Sequence, residues 1–262
     1  MNKLLTFIRY SVDFLKHLEV RYFIYSLVYI LKNKTPNKSG YYRSSLGKFY
    51  VRKGTLDFQF ANYAYEWGVK KFVYKHINNY DIFLDIGANI GTYSVLFAGK
   101  GLTGFAFEPI KSNFEALKTN LGLNHLSEKV KLFPVGLGSY KHRANFTFDP
   151  VNTGASHLTD DHIDAEIIIN PEFEDTDIET LDGLMEVLDI NTEKRIILKI
   201  DVEGMELDVL KGATNFLKKY PHVLLIIESV HSGKEKITAL LQSIASFEIL
   251  EVDALNMAAK KL

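Results

Sequence analysis

The stretch Asp85-Ile86-Gly87-Ala88-Asn89-Ile90-Gly91-Thr92 follows directly on the apolar run Ile82-Phe83-Leu84. A short apolar run ending in an acidic residue and a glycine reads as a buried strand that turns sharply at its carboxyl end. Gly91 then opens a helix close to the sheet. In open α/β sheets, ligands bind where strands end in this way, so the loop is the first candidate for a binding site.

Outward from this loop, strands and helices alternate. Thr103–Phe107 reads as a second strand ending at Glu108, and Val130–Val135 as a third. Ser112 and Glu115 between them have capping-box spacing at a helix start. Arg195–Val202 and Val223–Ile227 are further buried strands, with a helix carrying Leu207, Leu210 and Phe216 between them. A helix over 234–244 leads to two closing strands, 247–252 and 255–259. Only a short turn near Asp253 separates these, so they pair antiparallel. The alternation predicts an α/β chain with both faces of the sheet covered. The expected architecture is a Rossmann-like methyltransferase fold: a mostly parallel seven-stranded sheet with an antiparallel C-terminal hairpin. Residues 80–262 form this domain, and 144–180 read as a strand-rich insertion.

Residues 1–79 read as an N-terminal helical and β-hairpin cap. Leu4, Leu5, Ile8, Val12 and Leu15 recur at helical spacing. The plainer reading is a helix that caps the domain or packs in a homo-oligomer; the sharper one is peripheral membrane contact. The apolar run Tyr22–Leu31 is too short to span a bilayer. Residues 33–46 read as a linker. Lys48–Arg52 and Leu56–Phe60 alternate around Gly54 as a hairpin, and Ala61–Ile77 reads as one helix.

Composition narrows the function classes. With 262 residues, 47% hydrophobic and 24% charged, the chain is globular rather than disordered. A formal charge of -1, from 31 basic and 32 acidic side chains, lacks the positive excess of a nucleic-acid binder, so no nucleic-acid partner is expected. The chain has no cysteine, which excludes disulfides, thiolate metal sites and cysteine nucleophiles. A cytoplasmic protein, peripheral to a membrane if the first helix docks on one, is the expectation.

The ligand follows from loop chemistry. A pyrophosphate loop repeats glycine as G-x-G-x-x-G so that phosphates sit on helix amides. Asn89 stands where the second glycine belongs, so a dinucleotide fails. S-adenosylmethionine has no phosphate but carries an ammonium, a carboxylate and a positive sulfur. Asp85 is set to hold the ammonium and the turn amides the carboxylate, with Gly87, Ala88, Asn89, Gly91 and Thr92 forming the wall. Glu108 ends the second strand, where a carboxylate accepts both ribose hydroxyls. Asn113, Val135 and Gly136 are expected to flank ribose and adenine.

The other acidic strand end is Lys199-Ile200-Asp201-Val202-Glu203-Gly204-Met205-Glu206. Acidic residues favour helix N-termini, which accounts for Glu206. Asp201 faces the ligand crevice and is the first candidate to orient or deprotonate an acceptor hydroxyl; Glu203 is the second. Lys199 is expected to pair with these carboxylates. Glu228 ends the neighbouring strand and completes the catalytic set. Asp201 and Glu228, facing each other across the crevice, could share a divalent cation through their oxygens, and no sequence spacing tests this. His157 and His231 are weaker candidates for a base.

Taken together, the motifs resemble the FkbM family of methyltransferases. The resemblance rests on Thr55-Leu-Asp-Phe, Tyr65-Glu-Trp, Asp85-Ile-Gly-Ala-Asn-Ile-Gly, Phe107-Glu-Pro, Thr180-Leu-Asp, Leu198-Lys-Ile-Asp-Val-Glu-Gly-Met-Glu and Leu210-Lys-Gly-Ala. It implies O-methylation with S-adenosylmethionine, the acceptor being a carbohydrate or other small molecule. The alternatives are a nucleic-acid or protein methyltransferase on the same fold, and an inactive membrane-associated scaffold. The Asn-Pro-Pro-aromatic signature of amino-group methylation is missing, since strand 195–202 ends in Asp-Val-Glu-Gly.

Overall fold

The computed structural model describes residues 3–153, 156–158 and 172–262, the side chains at 3, 4, 6 and 156–158 aside. Two helices come first, α1 (Lys3–Lys16) and α2 (Val20–Lys32), then a hairpin of β1 (Gly40–Ser44) and β2 (Gly47–Val51), then α3 (Asp57–Phe60) and α4 (Trp67–His76). The central sheet begins at β3 (Ile82–Ile86). It continues through α5 (Thr92–Gly99), β4 (Thr103–Phe107), α6 (Lys111–Leu123) and β5 (Val130–Phe133).

A second sheet interrupts the alternation: β6 (Gly136–Leu137), β7 (His142–Phe148), β8 (Ser156–Leu158) and β9 (Glu172–Glu179), in the order β6-β9-β7-β8. Then come α7 (Leu181–Leu188), β10 (Ile196–Ile200), α8 (Glu206–Lys211), α9 (Thr214–Lys219), β11 (Val223–Glu228), α10 (Lys234–Ile244), β12 (Phe247–Glu251) and β13 (Asn256–Lys261). The seven-stranded sheet runs β12-β13-β11-β10-β3-β4-β5. Strands β11, β10, β3, β4 and β5 are mutually parallel, and β13 is antiparallel to both β11 and β12. This is the Rossmann-like methyltransferase arrangement that the alternation predicts.

The order reverses at β3, whose neighbours are β10 and β4. Both crossovers leave from the carboxyl ends at this point, which opens a crevice there. Strand β10 is buried at all five positions, as a central strand covered on both faces must be. Among the described residues, the cap shares its interior with the sheet. Phe14, Tyr22, Phe49, Val69 and Val73 share one apolar cluster with Phe83, Phe97, Leu117 and Ile197. Side-chain amides of α6 tie the hairpin down: Asn120 Oδ1 accepts the Tyr50 N–H at 2.7 Å and Asn124 Oδ1 accepts the Lys48 N–H at 2.9 Å.

Several local expectations are corrected. The hairpin pairs Gly40–Ser44 with Gly47–Val51, so residues 33–46 are not all linker. Leu56–Phe60 is not its second strand. Its alternation is real, but Asp57 is buried by a bidentate Arg52 contact at 2.7 and 2.8 Å, and the chain coils there into α3. The helix expected over 61–77 starts only at Trp67, because Glu66 takes φ +46°. The capping box at Ser112 and Glu115 does not form. Helix α6 begins after Ile110, and that residue's N–H is taken by Glu108. The single helix expected before β11 is two short ones, α8 and α9. No helix among the described residues is long and apolar enough to cross a membrane.

Candidate active site

The loop after β3 is shaped by backbone constraints. Gly87 has φ +80°, and a Cβ there would lie 1.8 Å from the Asp201 carbonyl oxygen, so only glycine fits between the two strand ends. The amides of Gly87 and Ala88 both donate to Phe107 O at 3.0 Å. Asn89 takes φ +49°, which asparagine tolerates better than most residues. Its N–H donates to Glu108 Oε2 at 2.8 Å, while Glu108 Oε1 accepts from Ile110. Thr92 Oγ1 donates to Phe60 O, joining α5 to the cap.

A cleft of about 850 Å³, counted to its open mouth, lies over this loop. That is enough for a nucleoside-sized ligand and part of an acceptor. Of the predicted cofactor residues, Gly87, Ala88, Asn89, Thr92, Glu108, Asn113, Val135 and Gly136 line it. Gly91 and Asp85 do not. Asp85 is buried behind the loop, where its Oδ2 accepts from Ser94 Oγ at 2.6 Å, and burial pushes its carboxyl up to about 6. Burial likewise pushes Glu108 up to about 7, against the pull of the two amides it accepts.

Asn113 lies in the first turn of α6. It belongs to a buried network in which Arg52 Nη2 donates to Asn113 Oδ1 at 3.0 Å and Asn113 Nδ2 donates to Thr153 O at 3.0 Å. Thr153 Oγ1 in turn reaches Asp57 at 3.3 Å. The hairpin, α3, α6 and the insertion therefore meet at one wall of the cleft.

The acidic strand end supplies the other part of the lining, through Asp201, Val202, Glu203 and Met205. Lys199, on β10, reaches Asp201 Oδ2 at 2.8 Å as the sequence leads one to expect. Burial works against the Lys199 charge, but Asp201 and Glu66 outweigh it and hold the ammonium protonated. Glu203 stands at φ +50°, and its Oε2 lies 3.2 Å from His231 Nε2. Burial raises Glu203, while the Glu203 contact raises His231. Glu228 does not line the cleft but stands against Asp201 and Glu203. Burial and those two carboxylates push it up to about 9, and its buried Oε2 has no hydrogen-bond partner. Glu206 does not line the cleft; its carboxylate accepts from the Gly204 N–H and Ser232 Oγ.

Glu203, Glu228 and His231 offer ligand atoms within 4.8 Å of one another, a spacing that a small cation can bridge. The Asp201–Glu228 pairing considered from sequence is not that group. The His157 side chain lies outside the described residues.

Three titratable lining residues have no assigned role in the sequence reading. Glu66 and Tyr65 enter from the cap and Tyr93 from α5. Burial raises the Glu66 carboxyl, although Lys199 and Lys70 are near, and it faces the Tyr93 hydroxyl. Lys199 Nζ lies 5.2 Å from the Tyr93 ring centre. The available signal was Tyr65-Glu66-Trp67 within the family resemblance; nothing local marks Glu66 as a cleft residue.

One family model matches the greater part of the chain. The pattern of the methyltransferase FkbM domain matches residues 85–254. A hexuronic acid methyltransferase, AglP of Haloferax volcanii, is 30% identical over 173 residues, 66% of this chain and 66% of its own length. The methyltransferase sdnD of Sordaria araneosa is 31% identical over 176 residues, 54% of this chain and 68% of its own. A crystal structure of methyltransferase FkbM from Methylobacillus flagellatus superposes with a TM-score of 0.47 at 18% identity, covering 70% of this chain and 44% of that one. The matched stretch thus spans about two thirds of AglP and under half of the crystallised FkbM chain.

Proposed function

The chain belongs to the FkbM methyltransferase family, and from that premise we propose that it methylates a sugar hydroxyl of a glycan, glycolipid or natural product, using S-adenosylmethionine. The observation that carries the reading is a single cleft holding both the Asn89–Glu108 clasp and the carboxylates of Asp201 and Glu203. The likeness to a hexuronic acid methyltransferase supports the sugar acceptor.

The lining suits this cofactor. Asn89 Oδ1 is buried in the loop without a hydrogen-bond partner, a cost that a donor such as an ammonium or a hydroxyl relieves. Each Glu108 oxygen already accepts one amide and keeps capacity for a ribose hydroxyl. Asp85 acts from behind, holding the loop through Ser94. When bound, S-adenosylmethionine supplies an electrophilic methyl on a positively charged sulfur.

The chain's own task is then to align an oxygen and take its proton. Asp201, fixed by Lys199, orients the acceptor hydroxyl. Glu203 accepts its proton, and the half-exposed His231 behind it passes that proton to solvent. The raised Glu203 carboxyl is a stronger base than an ordinary one, which suits a weakly acidic alcohol.

The test is incubation with isotopically labelled S-adenosylmethionine and fractionated cell-envelope glycans, with purified RNA and protein in parallel. Label in a carbohydrate fraction, as an O-methyl ether by mass spectrometry, is expected. Label in RNA or protein alone would overturn the acceptor class.

A further inference from the structure

We infer that the outer face of α1 and α2 is a docking surface for an anionic lipid bilayer, on which the protein lies without crossing it. On α1, Leu5, Ile8, Val12 and Leu15 recur at helical spacing, and all four are exposed. On α2, Val20, Ile24, Leu27 and Leu31 do the same. Leu18, at the joint between the helices, is 85% exposed. The opposite faces are spent on the fold: Tyr10, Phe14 and Tyr22 are buried in the main apolar cluster. The helices therefore carry two apolar faces each, and only one of them has a partner among the described residues.

An unpartnered apolar face of this size marks an interaction site. Charge decides which kind. Arg9, Lys16, Arg21, Lys32, Lys34 and Lys38 are all exposed along this segment. Its acidic residues are Asp13 and Glu19. Asp13 is buried and accepts from Tyr42 Oη, the Ser45 N–H and hydroxyl, and the Tyr63 N–H; Glu19 accepts the Arg43 N–H. The surplus is local, since the whole chain carries -1. A basic amphipathic helix pair with leucine, isoleucine and valine side chains along its outer face has the composition of an interfacial membrane anchor. A second copy on this face would oppose like charges, whereas an anionic bilayer complements them. Helices of 14 and 13 residues reach about 20 Å, short of the roughly 30 Å hydrocarbon core, so they lie in the interface.

The placement also bears on the cleft. Asn62 Nδ2 donates to Tyr10 O, and the Tyr63 N–H to Asp13, so α1 backs the 60–66 segment that lines the cleft through Phe60, Tyr65 and Glu66. Docking holds the cleft beside the lipid surface. If the proposed sugar methylation is correct, the acceptor it favours is a lipid-linked one.

The test is flotation of the full chain with phosphatidylcholine vesicles, with and without phosphatidylglycerol, beside the double variant Ile8→Glu/Ile24→Glu. Both positions are about half exposed, so the variant should keep the native circular dichroism and melting profile. The expected result is wild-type flotation with anionic vesicles that is at least tenfold weaker for the variant. Flotation should also weaken steeply in about 1 M salt, where screening acts within about 3 Å. No flotation of the wild type, equal flotation of the variant, or a wild-type dimer that the variant splits without any vesicle binding would overturn the inference. The readout does not depend on methyl transfer, so it fails separately from the proposed activity.

Discussion

The Asn89 backbone N–H donates to Glu108 Oε2 at 2.8 Å, so the loop after β3 and the end of β4 are fastened by the group proposed to hold the cofactor ribose. Removing the carboxylate loosens the loop and deletes the ribose acceptor together. Glu108→Ala is expected to weaken S-adenosylmethionine binding by roughly 10- to 100-fold, since hydrogen bonds to a charged group contribute about 1.5–3 kcal/mol. Titration calorimetry against wild type checks this; unchanged affinity would remove Glu108 from the site.

Asp201→Asn and Glu203→Gln separate binding from chemistry. Both variants should bind the cofactor within a few-fold of wild type and lose turnover by about 100-fold or more, the usual contribution of a positioned acid or base. Single-turnover transfer of labelled methyl to the identified acceptor reads this out. Normal turnover in both would remove the acidic strand end from the mechanism.

Stability of the ligand-free protein should fall as pH rises. Asp85 and Glu108 bind protons more tightly folded than unfolded, with folded values of about 6 and 7. Their stabilising effect is complete below ordinary carboxyl values near 4. It is lost as pH rises through 6 and 7, because the folded state must then bury charge. The melting temperature should be higher at pH 5.5 than at pH 8, and Glu108→Gln should flatten the difference. A melting temperature that climbs over this range would contradict the assignment.

Gly87→Ala should disrupt the fold rather than trim activity. Its Cβ would meet a backbone carbonyl of the adjacent strand end, and φ +80° penalises any side chain. A loss of several kcal/mol in denaturant unfolding is expected, against less than about 1 kcal/mol for Gly99→Ala, which meets nothing.

Much of this was legible because it is local. The glycine loop, Glu108 at a strand end and the Asp201–Glu203 pair each sit where a buried run meets a turn, and a single chain segment records that. The cap was harder. Leu56-Asp-Phe-Gln-Phe alternates like a strand, yet Arg52 captures Asp57 and coils the segment; that partner choice is tertiary. Glu66 reaches the cleft through a left-handed backbone step that its sequence does not announce. Asn113 stands at the start of helix α6 in the sequence, but its partners come from residues 52 and 153, remote in the chain.

The most direct test of the central claim is a crystal structure of the full chain grown with S-adenosylhomocysteine, the demethylated product. The account predicts ribose density on Glu108, the amino acid end at the Gly87–Asn89 bend, and the sulfur facing Asp201 and Glu203. Product bound elsewhere, or a cleft closed by side chains with no heat on titration, would contradict it.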